Sequence, residues 1–171
     1  MKYLKLLTFV WCMLAVLSAS ISVAQEKKRT SPAASAEGTI GDLKVTVAYS
    51  APSADGRKIM GGLVPYGEVW RTGANNATTV ELSKAAKVEG KDLAAGKYEL
   101  FTIPGETEWV IIFQKATGQW GHYSYKKEND VLRVNVKPGK SKEFMETFKI
   151  AVEKDGLALS WENTLVKVGI K

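Results

Sequence analysis

The chain has 171 residues, one cysteine, one histidine and a formal charge of +6. Removal of Lys2 and Lys5 with an N-terminal signal would lower that charge by two, and the remaining lysines are scattered, with no arginine cluster or interleaved aromatic stripe. This distribution argues against a nucleic-acid footprint, and so few thiol and imidazole groups argue against a disulfide framework or a common zinc site.

Lys2 and Lys5 precede an apolar run from Leu6 to Leu17, and Ser22-Val23-Ala24 supplies a small-x-small cleavage site before Gln25. Together they predict a signal peptide over 1–24. The apolar run is roughly a dozen residues, short of the ~20 that a spanning helix needs. Cys12 lies inside the run rather than after it, so it reads as an apolar side chain of the signal and not a lipid attachment site. The mature chain would then leave the cytoplasm for the periplasm or the medium, with no cysteine and no spanning helix.

Residues 25–37 are rich in Lys, Ser, Ala and Pro and read as a flexible leader. Residues 38–171 read as a single domain, long enough to bury about two-thirds of its unfolded surface without a covalent staple. Leu43, Val45, Val47 and Tyr49 alternate with smaller or polar residues, as a half-buried strand does. Ala51 to Gly56 breaks the pattern, and Gly61-Gly62 and Pro65 mark a loop or irregular edge. Glu68–Thr72 reads as extended. Thr78, Val80 and Leu82 alternate again, and Val88–Leu93 contains a hairpin-like turn at Glu89-Gly90-Lys91-Asp92.

Lys97–Ile103 and Trp109–Phe113 flank Pro104-Gly105, and the second of these is apolar on both faces, as a central buried strand is. Trp120–Tyr125 alternates aromatic residues, which would put Trp120, His122 and Ser124 on one face and Tyr123 and Tyr125 on the other. Val131–Val136 and Phe144–Val152 read as strands. Asp155-Gly156 carries a type I′ hairpin signal into Leu157–Trp161, and Leu165–Ile170 closes the chain. The expected fold is all-β: antiparallel sheets in a β-sandwich or jelly-roll-like arrangement, with little or no helix after the signal peptide.

No phosphate-binding glycine loop, zinc-protease motif, EF-hand loop or nucleophile elbow is present. No catalytic residue, metal ligand or cofactor follows from the sequence. Glu81, Glu99, Glu106, Glu108 and Glu162 read as solvated carboxylates. Asn76-Ala77-Thr78 matches the glycosylation acceptor pattern, which occurs often by chance.

Two segments combine aromatic rings, hydrogen-bond donors and glycines: Pro65–Asn76 and Gln119–Tyr125. From them Trp70, Arg71, Thr72, Asn75, Trp120, His122 and Tyr123 are the candidate ligand-binding residues. The competing expectation is that Trp70 is core and Arg71 locks a loop.

The motifs Tyr49-Ser50-Ala51-Pro52-Ser53, Gly56–Gly67, Trp70-Arg71-Thr72-Gly73-Ala74-Asn75, Ala95-Gly96-Lys97-Tyr98, Phe101-Thr102-Ile103-Pro104-Gly105 and Trp120-Gly121 occur in an order that resembles the bacterial secreted family catalogued as domain of unknown function 2911. The resemblance runs from about Ser31 to Trp161 and implies an exported envelope protein without an assigned activity. The family pattern has an acidic residue where this chain has Asn76, which weakens any proposal of carboxylate chemistry at that position.

The leading expectation is an envelope binding module for a small polar ligand, a glycan or a partner protein. One alternative is a carbohydrate-active hydrolase using Glu68 and His122. The other is a structural or assembly component presenting an edge strand.

Overall fold

The computed structural model describes residues 31–171. The expected signal peptide and residues 25–30 of the leader lie outside the described residues. The fold is all-β and antiparallel, as the alternation predicts. Its one helical feature among the described residues is a single 3-10 turn at Lys127–Asn129.

The first layer is a six-stranded sheet. Its strands are β1 (Ala33–Ile40), β2 (Leu43–Ser50), β3 (Thr78–Leu82), β6 (Gly96–Ile103), β7 (Trp109–Lys115) and β8 (Asp130–Val136), hydrogen-bonded in that order. Between β3 and β6 the chain makes a small hairpin of β4 (Ala86–Val88) and β5 (Lys91–Leu93). Its two-residue turn is Glu89-Gly90, both at positive φ (46° and 80°), as a type I′ turn requires.

The second layer is a long hairpin of β9 (Pro138–Glu153) and β10 (Gly156–Gly169). Backbone bonds between Lys87 and Lys171 tie β4 to the end of the chain after β10. The hairpin bends at two register shifts flanking Glu162, itself at φ 48°, as β-bulges do.

Alternation places Val45, Val47, Val80, Leu82, Leu100, Ile111, Phe113 and Val134 on the sheet face that meets Phe148, Ile150, Leu157, Leu159 and Trp161 of the hairpin. Each of the larger side chains adds about 1.5–3 kcal/mol by leaving water. β7 is also covered on its other face. There Phe101 and Ile112 pack with Ala77, Val69 and Tyr125 in a second, smaller cluster.

Two differences from the sequence reading lie at β1 and at the turn between β9 and β10. β1 begins at Ala33, so residues 33–37 of the expected leader form an edge strand paired with β2. Apart from Glu37 these residues are small, and Ala36 is the one that packs against the main core. They are held by backbone bonds and by the close approach of Gly38 to Val152 of β9, where a Cβ would sit 2.9 Å from the Val152 Cγ1.

The hairpin expected at Asp155-Gly156 is present, but its connecting residues are Lys154 and Asp155, neither at positive φ. Gly156 is instead the first residue of β10, at φ 150°. A Cβ there would lie 1.9 Å from the Val168 carbonyl oxygen, so glycine serves close backbone approach rather than the turn.

Gly156→Ala is therefore expected to lower unfolding free energy by about 1–3 kcal/mol or more. Gly41→Ala meets nothing within 4 Å at φ 60°, and its cost is limited to the left-handed backbone, about 1–2 kcal/mol. Urea denaturation of the two variants checks the order.

Candidate functional site

Residues 51–77, between β2 and β3, are a long connection rather than a strand, and their fixed shape builds one wall of a cleft. The start of this segment runs along β9, with Ala54 N–H donating to the Glu146 carbonyl (2.8 Å) and Phe148 N–H to that of Pro52 (2.8 Å). Its far end is pinned to β6 by reciprocal bonds between Trp70 and Thr102 (2.7 and 2.9 Å).

The Trp70 ring enters the core, stacked on Trp161 at 5.8 Å and edge-on to Phe148 and Trp109. Its Nε1–H donates to the Gly73 carbonyl (3.0 Å), so the ring is buried with its one polar group satisfied.

Thr72 and Asn75 hold the loop rather than face a ligand. Thr72 is fully buried, with its hydroxyl 3.2 Å from that of Thr102 and its carbonyl accepting from the Thr78 hydroxyl (2.6 Å). Asn75 Nδ2 donates to the Ser31 carbonyl and the Ser50 hydroxyl, both at 3.2 Å. Both residues adopt positive φ (55° and 57°), and these bonds hold that strained geometry in place.

The second loop wall is residues 116–126, which reaches the cleft through His122 alone. The alternation expected for Trp120–Tyr125 does not form. Gly121 at φ 72° turns the chain, and only an isolated bridge between Asn76 and Trp120 remains. The turn gathers rings that a strand would have separated. Trp120 stacks on Tyr123 at 6.0 Å and 17°, and Tyr123 on His122 at 4.9 Å and 27°. Trp120 and Tyr123 are largely open to solvent, 60% and 75% exposed.

This wall is positioned by a residue that the sequence reading left in solvent. Glu99 is 1% exposed. Its Oε1 accepts the successive backbone N–H groups of Thr117, Gly118 and Gln119 (3.1, 2.7 and 3.0 Å). Successive N–H groups form a nest suited to an anion, and here the anion is the protein's own carboxylate. Among the described residues Glu99 makes no ion pair.

Gln119 Nε2 links Glu99 to Gln114. Gln114 Nε2 in turn reaches Asp130 (3.0 Å) and the Lys126 carbonyl (2.8 Å). Asp130 accepts from the Tyr125 hydroxyl (2.8 Å) and pairs with Arg133 Nε at 3.1 Å. Burial, then the hydrogen bond and negative charge of Asp130, push the Tyr125 phenol up to about 12. The signal for a buried Glu99 was available: it shares a face of β6 with Phe101, and β7 is apolar on both sides.

The two walls are joined by bonds from Gly121 N–H to the Asn75 carbonyl (2.9 Å) and from Ala77 N–H to that of Gln119 (3.1 Å). Beside this junction lies a cleft of about 420 Å³ lined by Trp70, Arg71, His122, Glu68, Arg57 and Trp161, among others. That volume is within the range of small-molecule sites.

Arg57 is occupied by the carbonyls of Ser53 and Ala54 and by Asp55. Arg71 is not. It is half-buried, forms no ion pair among the described residues, and its buried Nε has no acceptor. Burial draws its pKa below the usual value, against a smaller opposing effect of Tyr123. The buried Nδ1 of His122 also has no partner.

Of the residues expected to bind ligand, the cleft thus takes Trp70, Arg71 and His122. Trp120 and Tyr123 connect to it through the stack on His122, and Thr72 and Asn75 do not line it. Glu68 and His122 line the same cleft, but no hydrogen bond or ion pair joins them. Among the described residues no three His, Cys, Asp or Glu side chains are grouped as metal ligands would be, and no helix is long and apolar enough to cross a membrane.

The class these features define is an antiparallel β-sandwich with a loop-walled cleft beside one face. The chain belongs to the family described as "Protein of unknown function (DUF2911)", whose profile matches residues 31–170. No curated protein and no solved structure matches it.

If Glu99 organises the second wall, Glu99→Gln should weaken the charge-assisted bonds to residues 117–119 and cost about 1.5–3 kcal/mol. Amide exchange at Gly118 and Gln119 should accelerate more than exchange in β2 and β3. Uniform acceleration would instead indicate a global loss of stability.

Proposed function

We propose that this protein is an exported binding module of the cell envelope whose cleft takes a small ligand through an anionic group. The observation that carries the reading is the half-buried Arg71 guanidinium, which makes no ion pair among the described residues and lines the cleft with His122, whose buried Nδ1 has no partner. A buried charge without a partner is costly. That cost is offset when a ligand supplies an anion, and a guanidinium fork meets a carboxylate in a bidentate pair.

Export rests on the charged start, short apolar run and small-x-small site before Gln25. The loop bonds of Trp70, Thr72 and Asn75 favour a preformed site, which limits the ordering cost of binding.

Titration with acetate, followed by NMR, tests the reading. The wild-type protein should show saturable shifts around the cleft. Arg71→Gln should weaken acetate binding about tenfold or more, and Arg71→Lys should recover part of the loss. Undiminished binding by Arg71→Gln, with the fold intact by circular dichroism, would contradict the proposal.

A further inference from the structure

We infer that the ligand is an acidic oligosaccharide, with a uronate carboxylate at Arg71 and a neighbouring pyranose ring lying on the Trp120–Tyr123 platform. This rests on the anion-binding reading of the cleft and names the molecule that would carry the anion.

The platform is a built feature. Trp120 is tied to Asn76 by a backbone bridge, and Gly121 gives the turn that brings Tyr123 back to it. Gly121 sits at φ 72°, where a side chain is strained, and a Cβ there would stand 3.0 Å from the Tyr123 ring, so glycine favours the stack. The polar network of Glu99 holds the preceding residues 117–119. The folding of this wall therefore ends in two parallel rings held in water. Exposed apolar surface held in a defined shape marks a binding site.

The openness of the platform selects the kind of ligand. A pyranose is amphipathic: its C–H face packs on an aromatic ring while its hydroxyls stay hydrated, so it needs no enclosing second wall. A flat aromatic or aliphatic ligand would leave its outer face in water and gain little from a site this open. Asn76 and Ser124 are exposed near the rings and offer donors and acceptors to hydroxyl groups.

Continuity with the cleft comes from His122. The imidazole lines the cleft with Arg71 and stacks on Tyr123. The site is therefore longer than one sugar ring, with charge recognition in the cleft and stacking outside it. An oligomer bearing carboxylates along its length matches both parts.

The probes are acetate and the trimers of galacturonate, glucuronate and mannuronate, with maltotriose as the uncharged control, read by tryptophan fluorescence and calorimetry. At least one uronate trimer should bind more tightly than acetate, and maltotriose should bind far more weakly than that trimer. Trp120→Ala should lower affinity for the trimer about tenfold, the worth of one stacked ring, and lower acetate affinity by a much smaller factor. Trp120 is mostly exposed, so this variant should keep the fold.

Acetate binding with no uronate trimer tighter would overturn the acidic-sugar inference and leave the anion cleft standing. So would a trimer affinity indifferent to Trp120→Ala, or maltotriose binding as tightly as every uronate trimer. Failure of acetate and every trimer to bind would remove the anion cleft and this inference with it.

Discussion

The site depends on the anchoring of Trp70. The long segment between β2 and β3 has little regular structure, yet it is held to one shape because this indole is stacked on Trp161 and packed edge-on against Phe148 and Trp109. The same residue makes both backbone bonds to Thr102 and closes its own loop on Gly73. Removing such a ring from a core typically costs 3–5 kcal/mol. With Trp70 fixed in the core at the cleft's edge, its neighbour Arg71 is held among the same lining residues. A core contact thereby anchors the one guanidinium in the cleft that lacks an acceptor for its Nε.

A second constraint of a different kind holds the second loop wall. Residues 116–126 contribute few core side chains, and hydrophobic burial alone would leave them loosely placed. The buried carboxylate of Glu99 supplies what packing does not, by gathering three consecutive N–H groups, while Gln119, Gln114, Asp130 and Tyr125 continue the network beneath the loop. Such networks are costly when incomplete and specific when satisfied. One wall is thus held by aromatic packing and the other by an internal anion. The bonds from Gly121 to Asn75 and from Ala77 to Gln119 lock the two together.

Much of this architecture was legible in the sequence because strand alternation is a local property. Val45 and Val47, Val80 and Leu82, and the doubly apolar Trp109–Phe113 all occupy the faces that their spacing implies. The turn at Glu89-Gly90 also follows from residue chemistry. What was hidden depends on contacts distant in sequence. Ala33–Glu37 becomes a strand through pairing with β2, which its own composition does not announce. Trp120–Tyr125 has a strand-like pattern, but Gly121 in the left-handed region breaks it and stacks rings that alternation would separate. Thr72 and Asn75 look like ligand donors in isolation, and their donor capacity is consumed by Thr102, Ser31 and Ser50. Glu99 looks solvated until the coverage of the second sheet face is known.

The functional reading thus reduces to one electrostatic imbalance: a guanidinium taken partly out of water by the fold and not neutralised by it. The Arg71 Nε–H resonance in a nitrogen-15 NMR spectrum reports on this imbalance at the atom concerned. The Nε is buried, so its chemical shift rather than its exchange rate is the readout: in the free protein it should lie upfield, as an N–H without an acceptor does, and on addition of a carboxylate ligand it should move downfield. A resonance already downfield in the free protein, and unmoved by any carboxylate, would mean that the charge is satisfied internally, and the account of the cleft would be wrong.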